Sequence, residues 1–349
     1  MSTRRRIPEI LSALVMLGML PATISHIQAQ TRDTVASRNT ILLIAQASAP
    51  AVPSTADFRV TLLGTATPAP RPDRYGPSTL VEAGSERLVF DCGRSCTTRL
   101  WQLKIPLGSV KLFITHLHSD HTVGIPDLWL TGWLSPPYGG RKEPFKVLGP
   151  KGTEEMMSYL EKAYQSDIRI RREEDDAMFS QGVAVAAKDF TEGVVYEENG
   201  VRVTAFRVHH GMVNKEAFGF RVDYKGHSVV ISGDTGPTEN FVKYAQGADV
   251  VVHEVGVARP ELLEKASWAR KIMTFHTSPE DAGKEFSRIK PKLAVYTHFV
   301  MLSGEGISEV TIPEIITRTR TTYSGPLEAG EDLMSISVGD TVTVQRNPH

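Results

Sequence analysis

The chain has 349 residues, of which 41% are hydrophobic and 23% are charged. This composition is ordinary for a soluble globular protein and excludes a disordered, collagen-like or coiled-coil chain. Its 39 Lys and Arg residues balance 40 Asp and Glu residues, so no global positive charge favours binding along a long polyanion. Two cysteines exclude a scaffold built on disulfides, so the core must come from apolar burial.

The first residues of the chain are typical of an export signal. Three arginines at 4–6 precede an apolar run at 10–20, which is too short to span a membrane. We expect a signal peptide over 1–29, with cleavage as late as residue 49, and then a linker over 30–56. An uncleaved anchor and a wrongly assigned start codon are the alternatives. The expected location is the periplasm or the medium.

From residue 57 to residue 345 the sequence predicts one mixed α/β domain, because short β-branched runs alternate with helical patterns. The predicted strands are 58–63, 78–83, 87–91, 110–115, 145–149, 201–208, 217–224, 227–232, 248–254, 292–298, 333–337 and 341–345. The predicted helices are 95–104, 126–135, 153–165, 238–246, 260–271, 279–289 and 311–319. Thr153 and Ser278 are the expected N-caps of two of them. Residues 169–178 mix both charges and are expected to form a surface segment.

Many of the predicted strands run directly into side chains that can bind a metal or move a proton. These side chains belong to Asp91, His116, His209, His210, Asp234, Glu254 and His298. Functional sites in α/β sheets gather at the carboxyl ends of strands. We therefore expect these residues to contribute to one site.

The segment 115–121, THLHSDH, is the strongest single signal in the chain. At the end of an extended strand, His116 and His118 point to the same side, and Asp120 and His121 follow on the next turn. A lone histidine is usually structural, but four such groups cannot pack together as an apolar core. The cluster therefore indicates a metal site. Imidazole and carboxylate without thiolate favour Zn²⁺, with Mn²⁺ or Fe²⁺ as alternatives.

Three further strand-end residues, His210, Asp234 and His298, raise the number of candidate donors to seven. Seven donors exceed the needs of one tetrahedral ion and suit two. A carboxylate is the natural bridge, because each of its oxygens can serve one ion. Two ions held in this way can share a hydroxide nucleophile and stabilise an in-line displacement.

The motif at 115–128 resembles the HxHxDH signature of the metallo-β-lactamase fold. Supporting matches occur at 64–70, 76–84, 88–93, 209–221, 232–236, 251–254, 275–283 and 296–299. Together they are similar to the ribonuclease Z branch and to the related zinc-dependent arylsulfatases and phosphodiesterases. The resemblance covers 57–345 and implies a four-layer αββα sandwich with a two-metal site at the sheet edge.

The resemblance also implies a role for each donor. The first metal would take His116, His118 and His210, the second would take Asp120, His121 and His298, and Asp234 would bridge them. His209 competes with His210 for its position, and we prefer His210 because it directly precedes the glycine. Asp91 is expected to hydrogen-bond the ligating histidines, with a simple strand-end cap as the alternative.

An acid for the leaving oxygen must come from outside the seven metal ligands. Asp120 is a second candidate for proton transfer, although it is also a predicted metal ligand. His276, held by Glu254, suits this role because a carboxylate partner fixes the tautomer and keeps the imidazole protonated. The resemblance places a Glu and a His at the same two motifs. The alternative is that His276 only packs ahead of the helix at Ser278.

Two departures from the ribonuclease Z pattern bear on the substrate. Phe and Val follow His298, where a Ser usually comes after the Phe, and 151–200 lacks the Gly-Pro-rich basic arm that grips tRNA. With the export signal, these features favour an exported di-zinc hydrolase of phosphodiester or aryl sulfate esters. The expected substrate is a small anionic ester rather than a nucleic acid, and a homodimer is left open.

Three other classes of function remain as alternatives. One is a ribonuclease Z-type endonuclease that acts on the 3′ end of tRNA. Another is a lactone, thioester or β-lactam hydrolase on the same fold. The third, a binding or redox module without enzymatic activity, is disfavoured by the complete donor set.

Cys92 and Cys96 fit neither a CxxC redox motif nor a zinc thiolate site. Export would permit a disulfide, but four residues apart on a helix the geometry is poor, so we expect two buried thiols. Four basic residues flank candidate active-site loops and could contact an anionic substrate, although a solvated surface is favoured for each: Arg71, Arg74, Arg141 and Lys142.

Overall fold

The computed structural model of the protein describes residues 57–174 and 180–346. The predicted signal peptide and linker lie outside these residues, and the domain boundaries stay a prediction. The described strands are β1 Phe58–Gly64, β2 Ser78–Ala83, β3 Glu86–Phe90, β4 Lys111–Phe113, β5 Phe145–Gly149, β6 Val185–Asp189, β7 Gly193–Glu198, β8 Val201–Arg207, β9 Phe218–Tyr224, β10 His227–Ile231, β11 Val250–Val257, β12 Leu293–Met301, β13 Leu327–Ala329, β14 Ser335–Ser337 and β15 Thr343–Gln345.

The described α-helices are α1 Cys96–Gln102, α2 Ser119–Thr122, α3 Ile125–Trp133, α4 Thr153–Ala163, α5 Gln165–Glu174, α6 Glu239–Ala245, α7 Pro260–Lys265, α8 Ser267–Met273, α9 Pro279–Ile289 and α10 Ile312–Thr319. Within the described ranges, no helix is both long enough and apolar enough to cross a membrane.

The strands form two mixed sheets. Sheet 1 has the order β15-β14-β1-β2-β3-β4-β5-β6, and sheet 2 has the order β13-β12-β11-β10-β9-β8-β7. In sheet 1 the pairs from β3 to β6 are parallel, and in sheet 2 the pairs from β10 to β13 are parallel. The remaining neighbours are antiparallel. Each sheet therefore has one half in which several strands end at the same edge.

Three apolar layers hold the sheets and helices together. Between the sheets, Phe90 of sheet 1 packs against Phe220 of sheet 2 with ring centroids 5.1 Å apart. Outside sheet 1, Trp129 of α3 belongs to a second layer. Outside sheet 2, Phe241 of α6 and Phe286 of α9 belong to a third. These layers confirm the expected αββα sandwich.

The predicted strands and helices are present in the structure, with small differences at their ends, but some elements were missed. These are β6, β7, β13, α2 and α5, and the predicted helix 260–271 is broken into α7 and α8. β6 and β7 are edge strands with many exposed side chains, so they carry little apolar alternation. Residues 169–174 of the predicted charge-mixed surface segment lie in helix α5, whose side chains are not buried.

The two predicted N-caps have different outcomes. Ser278 caps α9, and its hydroxyl accepts a hydrogen bond from the Asp281 N–H. The prediction for Thr153 was wrong, because Gly152 is the N-cap of α4 and Thr153 is its first helical residue. Gly152 has φ of 103°, a left-handed conformation that glycine adopts without strain.

Two predicted strand ends lie inside strands instead. β11 continues past Glu254, and β12 continues past His298. The pairing register between the two strands shifts after Glu254, opposite His298. His298 is the extra residue of the irregularity and has φ of 43°. A bulge of this kind redirects a side chain without ending the strand.

The expectation of two free thiols was wrong, because Cys92 and Cys96 form a disulfide with their Cα atoms 5.4 Å apart. The prediction assumed that both cysteines lie on one helix. The helix begins only at Cys96, and Cys92 lies in the preceding loop. The loop brings the two Cα atoms to a separation that is typical of disulfides.

Arg141 is buried and cannot serve as a surface contact for substrate. Its guanidinium donates to the main-chain oxygens of Trp129 at 2.7 Å, Leu128 at 3.3 Å and Gly182 at 3.5 Å. Burial lowers the pKa of Arg141 to about 9. The side chain therefore ties α3 to the loop before β6.

We expect Arg141→Leu to lower the free energy of unfolding by about 2–4 kcal/mol, because it leaves buried carbonyl groups without donors. Chemical denaturation of the two proteins measures this difference. The control is Arg202→Leu, which removes an arginine from the surface of β8 and should leave the denaturation midpoint unchanged. Equal stability of Arg141→Leu and the native chain would contradict the assigned role.

Candidate metal centre

The two sheets meet at the edge where the predicted donors lie. The Phe218 N–H of sheet 2 donates to the Thr115 oxygen at the end of β4, at 3.0 Å. The Phe299 N–H of β12 donates to the oxygen of Thr65, which follows β1, at 3.2 Å. These main-chain bonds bring His116 and His298, the neighbours of Thr115 and Phe299, to the same edge.

A first group of donors contains His116, His118 and His210. His118 Nδ1 lies 2.9 Å from His116 Nε2 and 3.1 Å from His210 Nε2. His116 and His210 are buried, whereas His118 is exposed. The group therefore opens to solvent on the side of His118.

A second group contains Asp120, His121 and His298. Asp120 Oδ2 lies 3.3 Å from His298 Nε2 and 3.5 Å from His121 Nε2. Asp120 and His121 belong to the short helix α2, and His298 comes from the bulge of β12. All three side chains are buried.

Asp234 lies between the two groups and directs one oxygen to each. Its Oδ2 is 3.9 Å from His116 Nε2 and 3.7 Å from His210 Nε2. Its Oδ1 is 3.4 Å from both His121 Nε2 and His298 Nε2. This is the geometry of a carboxylate that can serve two ions at once.

The ionisation of His116, His210 and Asp234 suits metal binding. Burial lowers the pKa of His210 to about 4 and holds the pKa of His116 well below its ordinary value, so both rings keep a lone pair for a cation. Burial opposes ionisation of Asp234, but the facing rings of His298 and His121 outweigh it and lower the pKa of the carboxyl.

A further observation shows that the site fits a cation. Nε2 of His121 is buried without a hydrogen-bond partner and points between two carboxylates. An unpartnered buried polar atom is costly, and a metal ion would provide its partner. The buried His and Asp clusters are consistent with a two-metal site, and imidazole and carboxylate donors without thiolate suit zinc.

Asp91 supports this arrangement from behind. One of its oxygens lies 2.7 Å from His121 Nδ1, and the carboxylate also accepts the Thr115 N–H and hydroxyl, each at 2.8 Å. The Thr115 hydroxyl lies 3.0 Å from His116 Nδ1. The sequence analysis missed Thr115, although it directly precedes the first histidine of the motif.

His209 and His210 take different positions. The side chain of His210 faces His118, as expected from its place before the glycine. His209 is exposed, and its main chain forms a bridge with Gly236. The structure therefore brings His210, and not His209, into the donor group.

His276 and Glu254 form a buried pair beside both groups. His276 Nδ1 lies 3.0 Å from Glu254 Oε2, and the Thr277 N–H donates to Glu254 Oε1 at 2.7 Å. The donor atoms of His276, His210 and Asp234 lie within 4.8 Å of one another. Burial opposes protonation of His276, but Glu254 outweighs it and raises the pKa of the imidazole.

The remaining basic candidates are largely engaged elsewhere. Arg71 pairs with Asp73 and Glu309 at 3.2 and 2.9 Å. Arg74 donates to Thr65 and to the Gly330 oxygen. Lys142 is exposed beside the buried Arg141.

An αββα sandwich with these His and Asp clusters at its edge defines a metal-dependent hydrolase of the metallo-β-lactamase fold. Residues 86–299 match the family model of the Beta-lactamase superfamily domain, and the chain belongs to this superfamily.

Within the superfamily the chain is related to ribonuclease Z. It is 33% identical to ribonuclease Z of Mycobacterium bovis (strain BCG / Pasteur 1173P2) over 286 residues, which cover 80% of this chain and 98% of the relative.

Two solved structures show the same fold. The metallo-β-lactamase fold protein YhfI from Bacillus subtilis has a TM-score of 0.63 at 15% identity and covers 81% of this chain and 99% of its own. The short form of human tRNase Z has a TM-score of 0.59 at 24% identity and covers 80% and 99%.

We expect His210→Ala to lower metal content and activity far more than His209→Ala, because only His210 faces the other donors. Elemental analysis of protein purified without chelator should give about two transition ions per native chain and fewer for His210→Ala. His209→Ala is the matched control. If His209→Ala lost more metal and activity than His210→Ala, the assignment of His210 to the first group would be wrong.

Proposed function

We propose that the chain is a metal-dependent phosphodiesterase, with endonucleolytic cleavage at the 3′ end of precursor tRNA as the first candidate reaction. The observation that carries the proposal is the seven-donor cluster with the His276–Glu254 pair at its margin. The tRNA candidate is supported by relatives named ribonuclease Z. One of them aligns with this chain over 98% of its own length, so the match covers nearly the whole relative.

In this proposal His116, His118 and His210 would hold one ion, Asp120, His121 and His298 would hold the other, and Asp234 would serve both. Zinc is the metal favoured by these donors, with Mn²⁺ or Fe²⁺ as alternatives. Bound there, the ions would activate water and neutralise charge that develops on the phosphoryl group. Asp91 keeps the ring of His121 in orientation, because it contacts Nδ1 and leaves Nε2 for the metal.

His276 is the proposed acid for the leaving oxygen. Its Nδ1 is engaged by Glu254, so the other ring nitrogen is available to donate a proton. Glu254 is itself fixed by the Thr277 N–H, which limits its movement. Glu254 raises the pKa of His276, which favours the protonated ring that a general acid requires.

We expect His276→Ala to lower kcat by about 10²–10⁴-fold with metal content unchanged. The loss should shrink for nitrophenolate leaving groups, which need little protonation. Steady-state kinetics on a series of aryl phosphodiesters, with elemental analysis of each variant, measures both effects. The acid role is wrong if the loss is equal across leaving groups, or if metal is lost with rate.

A second candidate is hydrolysis of small phosphodiesters or aryl sulfates outside the cytoplasm. The disulfide between Cys92 and Cys96 supports it, because disulfides persist in oxidising compartments. The signal-like segment at 1–29 points the same way. The two candidates share the metal centre and differ in the size of the substrate and in location.

One panel assay separates the candidates. Purified metal-loaded protein is given a precursor tRNA, an aryl phosphodiester, an aryl sulfate, a lactone and a β-lactam, and His276→Ala serves as the control for each. Precursor tRNA cut at its 3′ end supports the first candidate. Turnover of the aryl phosphodiester or the aryl sulfate without tRNA cleavage supports the second. Activity on the lactone or the β-lactam alone would overturn both.

The location has its own test. Export predicts that the protein from its native host begins between Gln30 and Thr55, because the signal peptide is removed. Mass spectrometry of fractionated cells measures the N-terminus and the compartment together. An intact Met1 on a cytoplasmic protein would contradict export and favour the tRNA candidate.

A further inference from the structure

The disulfide belongs to a loop, residues 91–95, that is in direct contact with the helix carrying two donors. We call this segment the cysteine loop. It begins with Asp91, which contacts His121, and it ends where α1 begins at Cys96. Both cysteine side chains are buried. The bond therefore lies inside the protein, behind the metal centre.

The main chain of the cysteine loop is hydrogen-bonded to α2 and to Gly124, which lies just after this helix. The Cys92 N–H donates to the His121 oxygen at 2.8 Å, and the Gly124 N–H donates to the Cys92 oxygen at 2.9 Å. Cys92 thus holds the end of the helix that carries Asp120 and His121. Any movement of Cys92 would act directly on this helix.

No side chain separates the cysteine loop from α2. A Cβ atom on Gly93 would lie 2.4 Å from the main-chain oxygen of Asp120, and a Cβ atom on Gly124 would lie 2.3 Å from the main-chain oxygen of Gly93. The two main chains are therefore in direct contact, with no room for a side chain between them, and a shift of one would shift the other. The donors on α2 therefore take their position from the cysteine loop.

The cysteine loop is also held in an unfavourable conformation. Asp91 has φ of 59° and Ser95 has φ of 69°, left-handed values that most residues with a side chain avoid. Such a segment keeps its shape only if its surroundings enforce it. A covalent bond between Cys92 and Cys96 is one such restraint.

We propose that the disulfide between Cys92 and Cys96 positions Asp120 and His121, two of the three donors of the second group, for their metal ion. It does so by holding Asp91 against His121 and the Cys92 main chain against α2. The proposal rests on the metal centre proposed above. The loop reaches the first group through the hydrogen bonds from Thr115 to Asp91, whereas it contacts both donors on α2 or their main chain directly. His210 follows β8 of the other sheet, so we expect the first group to depend less on the disulfide.

The test compares the native chain with the double variant Cys92→Ala and Cys96→Ala. Both proteins are loaded with zinc and titrated with a chelator, and the ions retained per chain are counted by elemental analysis. We expect the variant to lose one ion at a chelator concentration about 10- to 100-fold lower than the native chain. The other ion, at the first group of donors, should leave at a similar chelator concentration in both proteins.

Arg141→Leu is the control for stability, since it weakens the fold at a site without metal donors. If the double variant shows the same release curve as the native chain and only a lower Tm, the disulfide serves global stability and the proposal is overturned. A native chain that binds fewer than two ions would instead overturn the metal centre itself, so the two failures are distinguishable.

Reduction of the native protein gives a second measurement if the double variant does not fold. Tris(2-carboxyethyl)phosphine, which offers zinc no thiolate, transfers two electrons to the Cys92–Cys96 bond and becomes the phosphine oxide. One water molecule supplies the oxygen of the oxide and the protons of the two thiols formed. Alkylation followed by mass spectrometry counts the thiols formed. Loss of one ion in proportion to the thiols supports the proposal, and full retention of both ions by the reduced protein overturns it.

Discussion

The carboxylate of Asp234 provides the electrostatic interaction on which the rest of the site depends. Its oxygens face imidazole rings at 3.4 to 3.9 Å on both sides, in a place where unpaired charge is costly. Those rings come from both sheets, so the sheets must meet at this edge. The main-chain bonds at Thr115 and Thr65 are the means by which they do.

Much of the fold could be predicted because its central strands are simple to recognise. Strands buried on both faces have continuous apolar runs, and helices that cover a sheet have apolar faces with capping residues. The donors could be predicted for a related reason. A polar side chain that directly follows an apolar run has few structural explanations, and His116, His118, Asp120 and His121 occur together.

What the sequence could not show depends on contacts between distant segments. The pairing of His276 with Glu254 could be predicted only with the help of the family resemblance, because it needs the segment before α9 to lie beside β11. The cysteines were misjudged because the start of α1 at Cys96 decides whether their geometry permits a bond. Arg141 was misjudged because the carbonyls that surround it come from α3 and from Gly182, and no local pattern indicates this.

The bulge at His298 has a consequence for engineering. Deleting one residue there would restore regular pairing between β11 and β12 and remove a left-handed residue, changes that usually make a sheet more stable. His298 is the extra residue, so this deletion would remove a donor that faces Asp120 and Asp234. Thermostability and metal affinity are therefore opposing objectives at this position, and selection for one would erode the other.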